Sequence, residues 1–191
     1  PGLSLYCTIV TFSCIIQKEL SGGMSFFDFV LVDAPCSGEG MFRKDSFAVE
    51  QWSVSNVEQC AKRQRDIVAD IWESLRPGGL MVYSTCTFNR EENEDCVEWI
   101  ASELGAEILE VKVPSEWNIT GSLTTEGLPV YRFIPGYTSG EGLFMAVLRK
   151  DGSSVAVQPK LPRFQQASAK IRSEVARWII EPERFDFVMQ G

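Results

Sequence analysis

The chain has 191 residues, 45% of them hydrophobic and 23% charged, which matches one ordinary globular domain with a short tail. Its net charge of −8 argues against a protein that coats nucleic acid non-specifically, because phosphate binding needs clustered Lys and Arg; a local basic groove is compatible with it. The chain contains no histidine, which removes Ser-His-Asp and Cys-His mechanisms and leaves any nucleophile to be activated in another way.

The longest apolar stretches, Leu3–Val10 and Phe26–Val32, fall short of the ~20 residues a membrane helix needs. The start of the chain also lacks the basic region and small-residue cleavage site of a signal peptide. Six cysteines (Cys7, Cys14, Cys36, Cys60, Cys86, Cys96) include no C-x-x-C pair, which argues against structural zinc. The reading is a cytoplasmic protein with free thiols and no bound metal.

In chain order, Leu3–Ile16 is rich in apolar and β-branched residues and suits a buried strand, broken by Gly22-Gly23. Phe26–Val32 reads as a strand of a parallel sheet covered on both faces. Ala34–Lys44 is a loop shaped by Pro35, Gly38 and Gly40. From Asn56 to Leu75 an apolar stripe (Ile67, Val68, Ile71, Trp72, Leu75) predicts a helix, ended by Pro77-Gly78-Gly79. Leu80–Ser84 is the next strand. Asn89-Arg90-Glu91-Glu92 has the form of a capping box, with Asn89 as N-cap and Glu92 reaching back, opening a helix that runs to about Leu104 with Val97, Ile100, Ala101 and Leu104 inward.

Ala106–Val113 predicts a further strand, residues 114–129 a loop, and Val130–Ile134 with Leu143–Arg149 an antiparallel pair. Asp151–Pro162 is a linker by composition, and Gln165–Ile180 a last helix. The alternation of strands and helices predicts an α/β sheet with crossover helices.

Two strands run straight into a cysteine: Phe27–Val32 into Asp33-Ala34-Pro35-Cys36, and Leu80–Ser84 into Thr85-Cys86. Ligands of open α/β sheets sit beyond the carboxyl ends of the strands. If the two strands are neighbours, both thiols and Asp33 enter one crevice, and covalent chemistry follows. A buried, structural role suits the other four cysteines. Glu91, Glu92 and Glu94 read as helix-start acids favoured by the dipole, and Trp52, Trp72 and Trp99 as core. Two basic runs, Arg43-Lys44 and Lys62-Arg63-Gln64-Arg65, are candidate RNA-phosphate contacts, with a solvated surface as the alternative.

The stretches FDFVLVDAPCSGEGMFRK (27–44), RPGGLMVYSTCTF (76–88), EENED (91–95) and RFIPGYTSGEGLFMAVLRK (132–150) resemble the RNA cytosine-C5 methyltransferases of the Nol1/Nop2/Sun family, closest to the bacterial ribosomal RNA branch. The resemblance covers residues 26–150. It implies a Rossmann-like class I methyltransferase fold, S-adenosylmethionine as cosubstrate and RNA, ribosomal in this branch, as partner. It places the attacking thiol on Cys86 and assigns Cys36 to release of the methylated product. Asp33 would bond the cytosine edge or neighbour the cosubstrate. An ordinary cysteine is only a few per cent thiolate at neutral pH, so Cys86 would need tuning by N–H groups, cations or the bound cosubstrate.

The family's Gly-rich cosubstrate loop, of the form D-x-C-A-A-P-G-G-K, is not found here; Pro1-Gly2 is read as its last trace, and Leu3–Gly23 does not continue like the family. The expectation is therefore an atypical segment 1–25, the C-terminal half of a catalytic domain at 26–150, and a connector at 151–191 leading toward an RNA-binding region. A half-sheet would leave a strand edge at Phe26–Val32, open to self-association unless Leu3–Ile16 or another chain covers it. Two alternatives stay open: a non-catalytic binding or assembly module, and DNA cytosine methylation with Cys36 as nucleophile, against which the STCTF motif argues.

Overall fold

The computed structural model describes residues 7–10, 27–152, 165–166, 168–177 and 188–189. The chain forms two compact units, Pro1–Ala156 and Val157–Gly191.

The first unit is built on strands β1 (Cys7–Val10), β2 (Phe27–Asp33), β3 (Leu75–Thr85), β4 (Ala106–Leu109), β5 (Val130–Phe133) and β6 (Leu143–Lys150). They form one sheet of order β1-β2-β3-β6-β4, with β5 also paired to β6. The β1, β2 and β3 pairings are parallel and the pairings to β6 antiparallel. The expected mixed α/β sheet is therefore present. β1 pairs with β2 from Cys7↔Phe29 to Val10↔Val32, so of the two covers expected for this edge, Leu3–Ile16 or another chain, the first is the one present.

Among the described residues of this unit the α-helices are α1 (Ser46–Gln51), α2 (Val54–Trp72) and α3 (Glu94–Leu104). α2 buries Val57, Ala61, Gln64, Val68, Ile71 and Trp72, the three-and-four spacing that keeps one face inward. Ser53 caps it by accepting from the Asn56 N–H at 3.1 Å. α3 buries Cys96, Val97 and Ile100 and ends at Gly105, whose φ of +67° suits the left-handed C-cap. Alternate residues Phe144, Ala146 and Leu148 of β6 join these helices, Val30 and Val32 of β2, and Met81 and Tyr83 of β3 in one core.

Four local expectations change. The helix after Ser53 ends at Trp72, before Leu75, and Pro77-Gly78-Gly79 lies inside β3. Between Phe27↔Leu75 and Phe29↔Leu80 the register shifts, so Arg76–Gly79 bulge out of the ladder, with Arg76 paired to the buried Asp28. The strand after Gly105 is only Ala106–Leu109. The capping box at Asn89 is half made: the Asn89 side-chain oxygen accepts from the Glu92 N–H at 2.9 Å, but the helix begins at Glu94 and the Glu92 carboxylate turns elsewhere. Trp52 is also no core residue; it is 37% exposed, while Trp72 is buried and Trp99 packs half-buried against the core.

In the second unit, β7 (Gln165–Gln166) pairs antiparallel with β8 (Val188–Met189), and α4 spans Ala169–Ala176, so the helix expected over Gln165–Ile180 is shorter: its first two residues form a strand and Arg177 is already a turn. Most of the expected linker lies outside the described residues.

Candidate active site

β2 and β3 are neighbours in register Val32↔Tyr83 and Asp33↔Ser84. The ladder continues one step, with the Ala34 N–H donating to the Ser84 carbonyl at 2.9 Å. Both chains then leave the sheet at the same level, and the cysteines that follow them meet. Cys36 Sγ lies 3.0 Å from Cys86 Sγ, and the Cys86 backbone N–H points at Cys36 Sγ from 3.3 Å. Both are free thiols, half-buried at the strand ends.

The two cysteine loops are tied together at several points. The Gly40 N–H donates to the Cys86 carbonyl at 2.8 Å. A Cβ on Gly40 would lie 2.7 Å from that same carbonyl oxygen, so only glycine lets the loops approach this closely. Glu39 reaches across to accept from the Phe88 and Asn89 N–H groups at 2.7 and 2.8 Å. It thus takes the Asn89 donor that the capping box would have given to Glu92. The Ser37 and Thr87 hydroxyls share a hydrogen bond of 3.0 Å.

Glu92 closes the arrangement from below. Its carboxylate, fully buried, accepts from the Ser37 N–H at 3.0 Å, Gln64 Nε2 at 2.7 Å and Asn89 Nδ2 at 2.7 Å. Charge-assisted bonds of this kind are the strong ones, and here one carboxylate joins the Cys36 loop, α2 and the turn after Cys86. Asn93 continues the net, accepting from Thr85 Oγ1 at 2.7 Å and donating to the Thr87 carbonyl at 3.0 Å. Glu94, also buried, forms a two-point ion pair with Arg132 of β5, at 2.5 and 3.2 Å, while Arg132 donates to the Phe88 carbonyl at 2.9 Å. Glu92 and Glu94 are therefore structural anchors of the site rather than solvated helix-start acids. Glu91 alone of the three is exposed.

This geometry tunes the thiols without a histidine. Cys86 is pulled down from an ordinary value of 9.0 to about 7, chiefly because the Cys36 thiol donates to it, against burial and the charges of Asp33 and Glu92. Cys36 is pushed far up by holding that proton and by burial. Of the pair, Cys86 is thus the sulfur that ionises first and Cys36 the one that keeps its proton. Burial raises the half-buried Cys60 thiol, and raises that of Cys96, which is a core residue, to about 11.

Asp33 stands exposed at the end of β2, near enough for its charge to act on Cys86. Of the basic residues, Arg43, Lys44, Lys62 and Arg63 are exposed, and Lys44 pairs with Glu141 at 2.9 Å. Arg65 differs: it is half-buried, with its guanidinium 6.0 Å from the Trp99 ring centre, so it packs α2 against α3 and is spent on the interior. Among the described residues no group of three or more His, Cys, Asp or Glu could hold a metal, and no helix is long and apolar enough to cross a membrane.

Sequence reasoning missed Glu39, Gln64, Tyr83 and Arg132. A buried Gln or Arg in a polar position carries no periodic signal, and Glu39 reads as one acid of a loop. The Tyr83 hydroxyl lies 2.7 Å from the Glu92 carbonyl and 3.0 Å from Gln64 Oε1.

Comparison with known proteins accounts for the arrangement. The sequence model of the 16S rRNA methyltransferase RsmB/F family matches residues 2–149, extending the likeness back past residue 26. The chain is 40% identical over 147 residues to ribosomal RNA small subunit methyltransferase F of Aliivibrio salmonicida, covering 75% of this chain and 30% of that protein. It is 40% identical over 138 residues to the Pectobacterium atrosepticum protein of the same name, covering 72% and 28%. The chain thus spans less than a third of the length of these curated relatives. Among solved structures, NSun6 from Pyrococcus horikoshii with SFG is similar at a TM-score of 0.59 and 31% identity, over 76% of this chain and 35% of that one. A methyltransferase homologue from Pyrococcus horikoshii is similar at 0.56 and 29%, over 73% and 43%. The paired strands, the two cysteine loops and the match over residues 2–149 together place this chain in the 16S rRNA methyltransferase RsmB/F family, with the class I methyltransferase fold.

Proposed function

We propose that the protein methylates C5 of cytosine in RNA, ribosomal RNA by its relatives' names, through a covalent bond between Cys86 and cytosine C6. The observation that carries this is the 3.0 Å contact between Cys36 and Cys86 at the carboxyl ends of two adjacent parallel strands.

Cytosine C5 is a poor nucleophile. Addition of the Cys86 thiolate to C6 forms an S–C6 bond and moves electron density to C5. S-adenosylmethionine, whose analogue SFG accompanies one structural neighbour, supplies when bound the electrophilic methyl group that C5 then accepts. A base in the open crevice, solvent water or a side chain there, takes the C5 proton, which restores the C5–C6 double bond and expels Cys86 as a thiolate. Cys36 serves both ends of this sequence. Its thiol stabilises the Cys86 anion before attack, and the same proton can return to the departing sulfur. Asp33, an exposed carboxylate beside the thiols, suits the positive sulfonium of the cosubstrate and can accept from the cytosine amino group. Among the exposed cations, Arg43, Lys62 and Arg63, and Lys44 once released from Glu141, could meet RNA phosphates.

The test is methyl transfer from labelled S-adenosylmethionine to ribosomal RNA, with the product nucleoside identified by mass spectrometry. Cys86→Ser is expected to abolish transfer. Cys36→Ala is expected to leave protein bound covalently to RNA on a denaturing gel. Transfer that survives Cys86→Ser but is lost, without adduct, in Cys36→Ala would make Cys36 the nucleophile. Absence of S-adenosylmethionine binding up to millimolar concentration would support a binding or assembly module instead.

A further inference from the structure

A second concavity lies at the same end of the sheet, apart from the cysteines. Its volume is about 390 Å³, within the range of small-molecule sites. It is lined by Trp117, Phe133, Tyr137, Asn118, Thr138 and Glu116 among others. Trp117 and Tyr137 are 55% and 67% exposed. Large aromatics gathered around one hollow and left this open carry apolar faces that a flat ring would cover. Asn118 is held at a φ of +52°, the one described non-glycine residue at positive φ; its amide donates to the Glu116 carbonyl at 3.4 Å and the Thr138 hydroxyl to the Ile134 carbonyl at 3.3 Å, which leaves their side-chain oxygens as acceptors. No lysine or arginine lines the cavity, and Glu116 adds a negative charge, so a phosphate is disfavoured and a neutral ring favoured.

Strand register sets the distance to the thiols. Thr85 pairs with Phe144, which puts Cys86 level with Leu143, and Leu143 pairs with Phe133. Phe133 therefore stands two strands across from Cys86 at the same end of the sheet, about 10 Å away at ordinary strand spacing. The loop that walls the cavity through Tyr137 and Thr138 runs on to Gly142, whose carbonyl lies 3.2 Å from a Cβ on Gly40, in the Cys36 loop. Cavity and cysteine crevice are thus neighbours along one continuous rim.

We propose that this cavity is a subsite for a nucleobase of the single-stranded RNA that flanks the target cytosine, with the base stacked against Trp117 and Tyr137. The proposal rests on RNA being the substrate, as argued above. Stacking on aromatic side chains tolerates any base, so the subsite contributes grip and strand direction rather than sequence reading.

The test uses a cytosine-containing single-stranded oligoribonucleotide with the native protein, Trp117→Ala, Tyr137→Ala and Trp117→Phe. Both alanine variants are expected to raise the Kd and KM for the oligonucleotide about tenfold, with kcat at saturating RNA and S-adenosylmethionine affinity unchanged. Trp117→Phe retains a stacking face and is expected to stay within about threefold of native. The oligonucleotide should quench tryptophan emission in the native protein and quench it less in Trp117→Phe. If the native protein methylates RNA and the alanine variants bind it as tightly as native, the subsite is overturned and the catalytic reading stands. If the native protein does not methylate, but binding and its loss in Trp117→Ala follow expectation, the subsite stands and the catalytic reading fails. Protection of Trp117 from acrylamide quenching before RNA is added would mean that protein already fills the hollow, which also overturns the subsite.

Discussion

Replacing Cys36 by alanine removes the strongest donor that favours Cys86 as a thiolate. With Cys86 at about 7, half of it is ionised at pH 7. Without the Cys36 thiol, burial and the charges of Asp33 and Glu92 push upward and outweigh the one backbone N–H bond that pulls down, so Cys86 should titrate at 9 or above. The thiolate fraction at pH 7 then falls from one half to about one per cent, roughly 50-fold. Nucleophilicity per thiolate rises with pKa by a slope of about 0.4–0.5, which over two units returns roughly 6- to 10-fold. The net expectation is that alkylation of Cys86 by iodoacetamide at pH 7 slows by about 5- to 8-fold, and that its pH midpoint moves from near 7 to 9 or higher. The sign follows from the anion being the favoured form in the native pair: reactivity is high above pH 7 and lost as pH falls below it. Rates read by mass spectrometry of the Cys86 peptide measure this without any substrate. Cys36→Ser keeps a donor at the same place and should retain part of the shift. A midpoint unchanged in Cys36→Ala would refute the thiol–thiolate hydrogen bond as the source of activation. A midpoint near 7 on the Cys36 peptide instead would put the charge on the other sulfur.

Three further outcomes follow from the anchors beneath the thiols. Glu92→Gln turns an acceptor of three donors into a side chain with one oxygen and a competing NH2, and should lower unfolding stability by about 2–3 kcal/mol in urea titration; no measurable loss would show the net to be dispensable. Arg132→Met leaves Glu94 buried without its cation and should cost about 3–5 kcal/mol, whereas the double change Arg132→Met with Glu94→Leu should recover most of it; a double variant as unstable as the single one would count against the ion pair as the cause. Gly40→Ala forces the two cysteine loops apart and should both destabilise the protein by about 2 kcal/mol and slow Cys86 alkylation, with native reactivity in a folded variant contradicting the close approach.

Local pattern made much of the framework readable. The apolar stripe of α2, the alternation along β6 and the short runs ending at Asp33 and Thr85 each express one physical periodicity, burial of one face of a helix or strand. Errors clustered where a residue's partner is distant in sequence. Asn89-Arg90-Glu91-Glu92 satisfied every local rule for a capping box, yet Glu39, 50 residues earlier, took the Asn89 N–H and freed Glu92 for the Ser37 loop. Pro77-Gly78-Gly79 looked like a terminator because its bulge in β3 depends on pairing with β2.

By itself, then, the sequence determined the α/β character, the two cysteine-bearing strand ends and that the thiols of these 191 residues have no histidine among them, because composition and periodicity are properties of the chain alone. Only the tertiary structure decided that the β2 and β3 ends stand side by side and bring the two sulfurs to 3.0 Å, that Glu92 and Glu94 are buried anchors, and that Arg65 turns inward to Trp99 while Trp52 stays outside the core. Those outcomes depend on which groups meet after the sheet forms. A buried carboxylate is stable only once its donors are assembled around it, and a thiol is a good nucleophile only once its partner has been brought within hydrogen-bond reach.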